Sequence, residues 1–136
     1  MAREGALVFA GVDELTAPIE GAEHQSVAGV EIDIARAGAA RVKRVVYPAG
    51  FHWAEHMKPE VGGEACRHAH VGFLARGAIA GEYLDGCRFE YRAPAFVAIA
   101  PGHDAWLEGD QPAVLVEFDF ERETAERLEL PEHTHS

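Results

Sequence analysis

From residue 30 to residue 120 the chain consists of short stretches of alternating apolar and polar residues. Each stretch is closed by glycine, proline or aspartate. A period of two places successive side chains on opposite faces of an extended chain, so the pattern calls for half-buried strands. Val30, Ile32 and Ile34 alternate with Glu31 and Asp33. Val42 to Tyr47, Val71 to Arg76, Ala78 to Leu84, Cys87 to Arg92, Phe96 to Ala100, Asp104 to Leu107 and Val114 to Phe120 read as further strands. In the last, Val114, Val116, Phe118 and Phe120 share one face. Asp85-Gly86 is a hairpin signal, because both positions tolerate positive φ. Helical periodicity is nearly absent, apart from a short helix expected within Glu121 to Leu128. Many short strands at close spacing imply an all-β sandwich or barrel.

With 136 residues the chain fits one domain. Its expected division is an N-terminal arm (1–28), a barrel (29–120) and a C-terminal helix and tail (121–136). The arm shows no clean periodicity, and the His133–Ser136 tail is expected to fray. The 23 acidic and 12 basic residues give a formal charge of −11, which excludes the basic footprint of a nucleic-acid binder and disfavours anionic membranes. Cys66 and Cys87 form no C-x-x-C pair, so a zinc ribbon or thioredoxin-type motif is not expected. No continuous apolar segment marks a secretory signal, and a reducing cytoplasm is the expected location.

Chemistry is concentrated between His52 and His103, which hold five of the eight histidines. Glu64, Cys66, His68 and His70 alternate, so an extended strand would aim all of them to one side. Four such positions span roughly 20 Å, too far for one ion, but neighbours two apart can chelate. His68 with His70, or Cys66 with His68, are the candidate pairs, and His56 and His103 are donors from elsewhere in the chain. A Cys66–histidine nucleophile is a weaker reading, since sequence alone gives no hydrogen-bond geometry.

Several motifs resemble those of cupins. Val71-Gly72-Phe73-Leu74-Ala75-Arg76-Gly77, followed by Asp85-Gly86, is similar to the central cupin hairpin. Phe96-Val97-Ala98-Ile99-Ala100-Pro101-Gly102 is similar to the start of the second cupin motif. Pro101-Gly102-His103-Asp104-Ala105-Trp106 with Gly109-Asp110, and Pro48-Ala49-Gly50-Phe51-His52-Trp53 with His56 and Lys58-Pro59, resemble a bacterial subgroup of small single-domain cupins. The resemblance covers residues 30 to 120. Anchoring the first motif on Gly77 puts His70 where cupins carry glutamate, and Glu64 and Cys66 where they carry two histidines. Anchoring on Gly50 puts His56 and Lys58 at those histidines. A third register takes His68-Ala69-His70 as the histidine pair. In the second motif Ala105 stands at the histidine position and His103 two residues earlier.

The resemblance implies an antiparallel cupin barrel, or jelly roll, with a short C-terminal helix and a small-molecule pocket. His56, His70 and His103 would hold one divalent transition metal (zinc, iron, nickel or copper), with Cys66 or Glu64 as a fourth donor. Trp53, Glu64, His68, Phe73, Tyr83 and Trp106 would line the pocket. Such a site could serve a metal-dependent enzyme. The alternative is a metal-free module that binds or senses a small ligand without catalysis. A homodimer is expected, partly to cover edge strands.

Overall fold

The computed structural model describes residues 13–131 and 133. Among them are nine strands: β1 (Glu23–Val27), β2 (Val30–Ala37), β3 (Ala40–Tyr47), β4 (His70–Arg76), β5 (Ala78–Tyr83), β6 (Arg88–Arg92), β7 (Ala95–Ile99), β8 (His103–Leu107) and β9 (Ala113–Phe120). Three single-turn helices join them: α1 (Trp53–His56), α2 (Lys58–Val61) and α3 (Thr124–Arg127). No helix among the described residues is long and apolar enough to cross a membrane.

All pairing is antiparallel, in two sheets ordered β1-β2-β3-β9-β4-β7 and β6-β5-β8. The first three strands meet the last at β3-β9, and later strands interleave with earlier ones. This is the double Greek key of a jelly roll, the architecture that cupins share. The antiparallel barrel expected from the sequence is therefore the fold found. A full jelly roll has eight strands in two sets of four, but here the smaller sheet stops at three. Where a fourth strand would flank β8, the chain makes only isolated bridges, Cys66 to His103 and, nearer its start, His52 to Trp106, where Leu107 N–H donates to Phe51 O at 3.0 Å. From His52 it turns into α1. The Asp104 carboxylate takes over from the ladder, accepting from Ala54 N–H at 3.1 Å and lying 2.7 Å from His52 Nε2.

The core lies between the sheets, built on Val45, Leu74, Val97 and Leu115 of the larger sheet and Ile79 and Leu107 of the smaller, with Phe51 and Trp53 closing one end. A fully buried leucine such as Leu74 or Leu115 contributes ~2 kcal/mol by its removal from water.

One strand reading needs correction, and a second gains the direction it lacked. β1 lies in the region read as lacking periodicity. Its sequence, Glu-His-Gln-Ser-Val, has no apolar alternation because it is a largely exposed edge strand paired only with β2. In β9 the alternation is real, but the apolar row faces mainly outward. Phe118 is 52% exposed, whereas Leu115, Glu117 and Asp119 are buried. The polar end of that inner row is satisfied by β3: Asp119 meets Arg41 and Lys43, each at 2.8 Å. Phe73 and Phe96 face outward on β4 and β7 and pair with each other.

Candidate metal centre

Residues 62–69 are not a strand. Positive φ at Gly62 and Gly63 breaks the chain after α2, and regular pairing resumes only at His70. The alternation expected to aim Glu64, Cys66, His68 and His70 one way holds only in part: Cys66, His68 and His70 line one cavity, with Cys66 Sγ 4.0 Å from His68 Nδ1 and 3.8 Å from His70 Nε2, but Glu64 does not. Glu64 is exposed and lies outside the cavity, His68 sits exposed on its wall, and Cys66 and His70 turn inward. Backbone bonds fix Cys66 to the start of β8: Cys66 N–H to His103 O at 2.7 Å and Gly102 N–H to Cys66 O at 2.8 Å. His70 opens β4 and His103 opens β8, so the two sheets deliver one imidazole each.

One donor atom from each of Cys66, His70 and His103 lies within 4.8 Å of the others. Bonds of about 2.0 Å to nitrogen and 2.3 Å to sulfur place tetrahedral donors roughly 3.5 Å apart, so the spacing needs little adjustment around one ion. Cys66 Sγ already stands 3.8 Å from His70 Nε2. The other ring nitrogens are committed. His70 Nδ1 is 2.7 Å from Glu117 Oε1, and His103 Nδ1 is 2.8 Å from Ala100 O, which can only accept. His103 therefore carries a proton on Nδ1, which leaves Nε2 as the atom available to an ion. This carboxylate or carbonyl support behind a histidine is the usual second layer of a metal site.

The charges are coupled. Burial pushes the Cys66 thiol up, but hydrogen bonds from His103, His68 and His70 outweigh it and bring it down to about 3. Burial pushes His70 down, but the Glu117 carboxylate and then Cys66 outweigh it and hold the imidazolium up to about 10. Glu117 is itself buried; His70 and Lys43 keep it below its ordinary value against the burial penalty. Burial, aided by the Glu117 charge, raises the Tyr47 hydroxyl.

A pH profile follows for the metal-free protein. Folded, the Cys66–His70 pair holds one proton from about pH 3 to about 10. Unfolded, with ordinary values of 9.0 and 6.5, it holds two protons below 6.5, one between, and none above 9.0. Stability rises wherever the unfolded state binds more protons. The pair's contribution should therefore climb to pH 6.5, stay flat to pH 9 and fall above it. The difference in urea midpoint between the wild type and a Cys66→Ser/His70→Gln double variant reads this directly. A difference independent of pH between 5 and 10 would reject the ion pair.

The cluster sits in the wall of a cavity of about 280 Å³. Tyr47, Phe51, Trp53, Ile79, Ile99 and Leu115 supply apolar lining, Met57 and Val61 close the side where the missing strand would run, and Trp106 and Arg67 also line it.

Of the residues singled out from sequence, Cys66, His70 and His103 come together, and Trp53, His68 and Trp106 line the cavity. His56 does not join them. It is exposed on α1, stacked on Phe51, with Nδ1 turned back to the His52 backbone. Glu64 and Phe73 lie outside, the first on an irregular loop and the second on the outer face of β4. Tyr83 stacks on His133, and its hydroxyl accepts from Ala100 N–H at 3.1 Å, so it supports the wall rather than lining it. Glu117, Tyr47 and Arg67 were missed. For Glu117 a signal existed: an acid in the middle of an otherwise apolar strand.

Cys66 and Cys87 form no disulfide. No family model matches the sequence, and no curated protein matches it. Among solved structures, protein NMB1881 of Neisseria meningitidis is 14% identical, with TM-score 0.48 over 79% of this chain and 93% of that one. The cupin domain of Schizosaccharomyces pombe Cnp3 is 12% identical, with TM-score 0.48 over 69% and 62%. The Streptomyces nucleoside dehydratase Pac13 is 16% identical, with TM-score 0.36 over 81% and 92%. The fold assignment rests on the strand order itself.

Proposed function

We propose that this jelly roll binds one transition-metal ion through Cys66 Sγ, His70 Nε2 and His103 Nε2, and presents it to a small molecule in the apolar cavity. The observation that carries this reading is the three-donor cluster whose two imidazoles are both held from behind. One thiolate and two imidazoles suit zinc, iron, nickel or copper rather than magnesium or calcium. Three protein ligands leave a coordination position for water or a substrate oxygen, where the ion would act as a Lewis acid. The chain's own part is to fix the donors and exclude water. Glu117 orients His70, the Ala100 carbonyl orients His103, and the aromatic walls keep the site dry.

Elemental analysis of untagged protein tests this. About one metal ion per chain, retained through gel filtration and removed by a chelator, is expected. No metal, and none taken up from Zn²⁺, Fe²⁺, Ni²⁺ or Cu²⁺, would overturn it.

The order Glu117, His70, Cys66 also favours a second reading, in which an acid-backed imidazole activates a thiolate nucleophile without metal. Iodoacetamide separates the two. Zinc should protect Cys66 from alkylation if the thiolate is a ligand, and leave the rate unchanged if it is not. We also propose a homodimer through the outer face of the larger sheet, supported by Phe96, 84% exposed beside Phe73 and Phe118. A monomer in sedimentation would reject it.

A further inference from the structure

The cavity has a charge in its lining that no described residue answers. Arg67 lies between Cys66 and His68, is exposed, and lines the cavity. Its guanidinium lies over the loop that leads into His103: a Cβ on Gly102 would come within 3.9 Å of Nη1. Arg36, Arg41, Arg44, Arg76, Arg88 and Arg92 each meet a carboxylate, and Arg127 lies over the Phe120 ring. Among the described residues no carboxylate or ring engages Arg67. Lys58 and Arg122, among the described residues, meet no carboxylate or ring either, but neither lines the cavity. Apart from Arg67 and the buried cluster, the lining is aromatic or aliphatic except for Tyr47 and His68. The Tyr47 hydroxyl has no hydrogen-bond partner among the described residues.

We propose that the cavity takes a small, mainly apolar carboxylate, with its body against Phe51, Trp53 and Leu115 and its carboxylate on Arg67. This names the substrate class of the metal pocket and rests on that reading for what the ligand is presented to. It does not rest on it for the anion contact. The volume, about 280 Å³, is the space of roughly nine waters, which suits an aromatic or branched acid of about ten heavy atoms. A planar guanidinium binds a carboxylate through two parallel N–H bonds, and in the lining of an apolar cavity it discriminates the anion from its neutral isostere.

The test titrates phenylacetate and phenylacetamide into the wild type and Arg67→Gln, each zinc-loaded and chelator-treated. The fluorescence of Trp53 and Trp106, which both line the cavity, is the readout. The acid should bind about fivefold or more tightly than the amide in both states of the wild type. Arg67→Gln should abolish that preference and leave amide affinity unchanged. A preference present only with zinc would assign the anion to the metal, and one that survives Arg67→Gln would assign it to the metal in the loaded protein or to the histidines of the cluster in the chelator-treated one; each would overturn the proposal. So would the absence of binding by either compound. If zinc never binds yet the Arg67-dependent preference holds, the metal reading fails alone and the protein is the metal-free binding module.

Discussion

Replacing His70 by alanine is expected to weaken zinc binding by about a hundredfold or more, the largest effect of any single change at the site. The reasoning is the ligand count. With three protein donors, losing one leaves Cys66 and His103, which cannot fix a tetrahedral ion. His70→Ala does a second thing. It leaves Glu117, buried and 2.7 Å from the lost ring, without its partner, and breaking such a pair costs about 3 kcal/mol of folding stability. His103→Gln separates the two effects, because His103 holds only a backbone carbonyl on its far nitrogen. It should lose zinc to a similar extent without orphaning a buried carboxylate, so its loss of metal-free stability should be the smaller of the two. Glu117→Gln keeps all three donors but weakens the support of His70, and a tenfold to hundredfold loss is expected. Competition with a chromophoric zinc chelator measures all three. Equal affinity in the wild type and His70→Ala would remove His70 from the site.

Gly72→Ala is expected to be the most damaging substitution in the scaffold. A Cβ there would stand 1.9 Å from Val116 O, a backbone atom of the central strand β9, and 2.9 Å from Glu117 Cα. Neither can move without parting β4 from β9, so a loss on the order of 5 kcal/mol is expected, comparable to the whole stability of a small domain. The same close approach lets His70, two residues earlier on β4, reach Glu117 on β9. Circular dichroism during urea unfolding reads the loss. A wild-type midpoint would show that the strands can separate there without cost.

The fold was legible because turn residues and period two are local signals. Gly77 and Asp85-Gly86 cut the chain at the ends of β4 and β5, where the structure cuts it. The side that is buried was not legible, since alternation carries no sign. In β9 the more apolar row faces out, and Glu117 faces in because His70 and Lys43 offset its charge. β1 was invisible because an edge strand is held by its backbone and can be polar in sequence. At the site, Cys66, His70 and His103 could be singled out as ligand types. Their convergence depends on an irregular loop pinned to β8, which no periodicity reports. His56 failed for the complementary reason: the chain turns into α1 where a jelly roll would run a strand.

X-ray absorption at the zinc edge of the loaded protein tests the central claim most directly. The account predicts one sulfur at about 2.3 Å, two imidazole nitrogens at about 2.0–2.1 Å and one further light ligand, with the sulfur lost in Cys66→Ser. A shell of nitrogen and oxygen alone, or a spectrum that Cys66→Ser does not change, would contradict it.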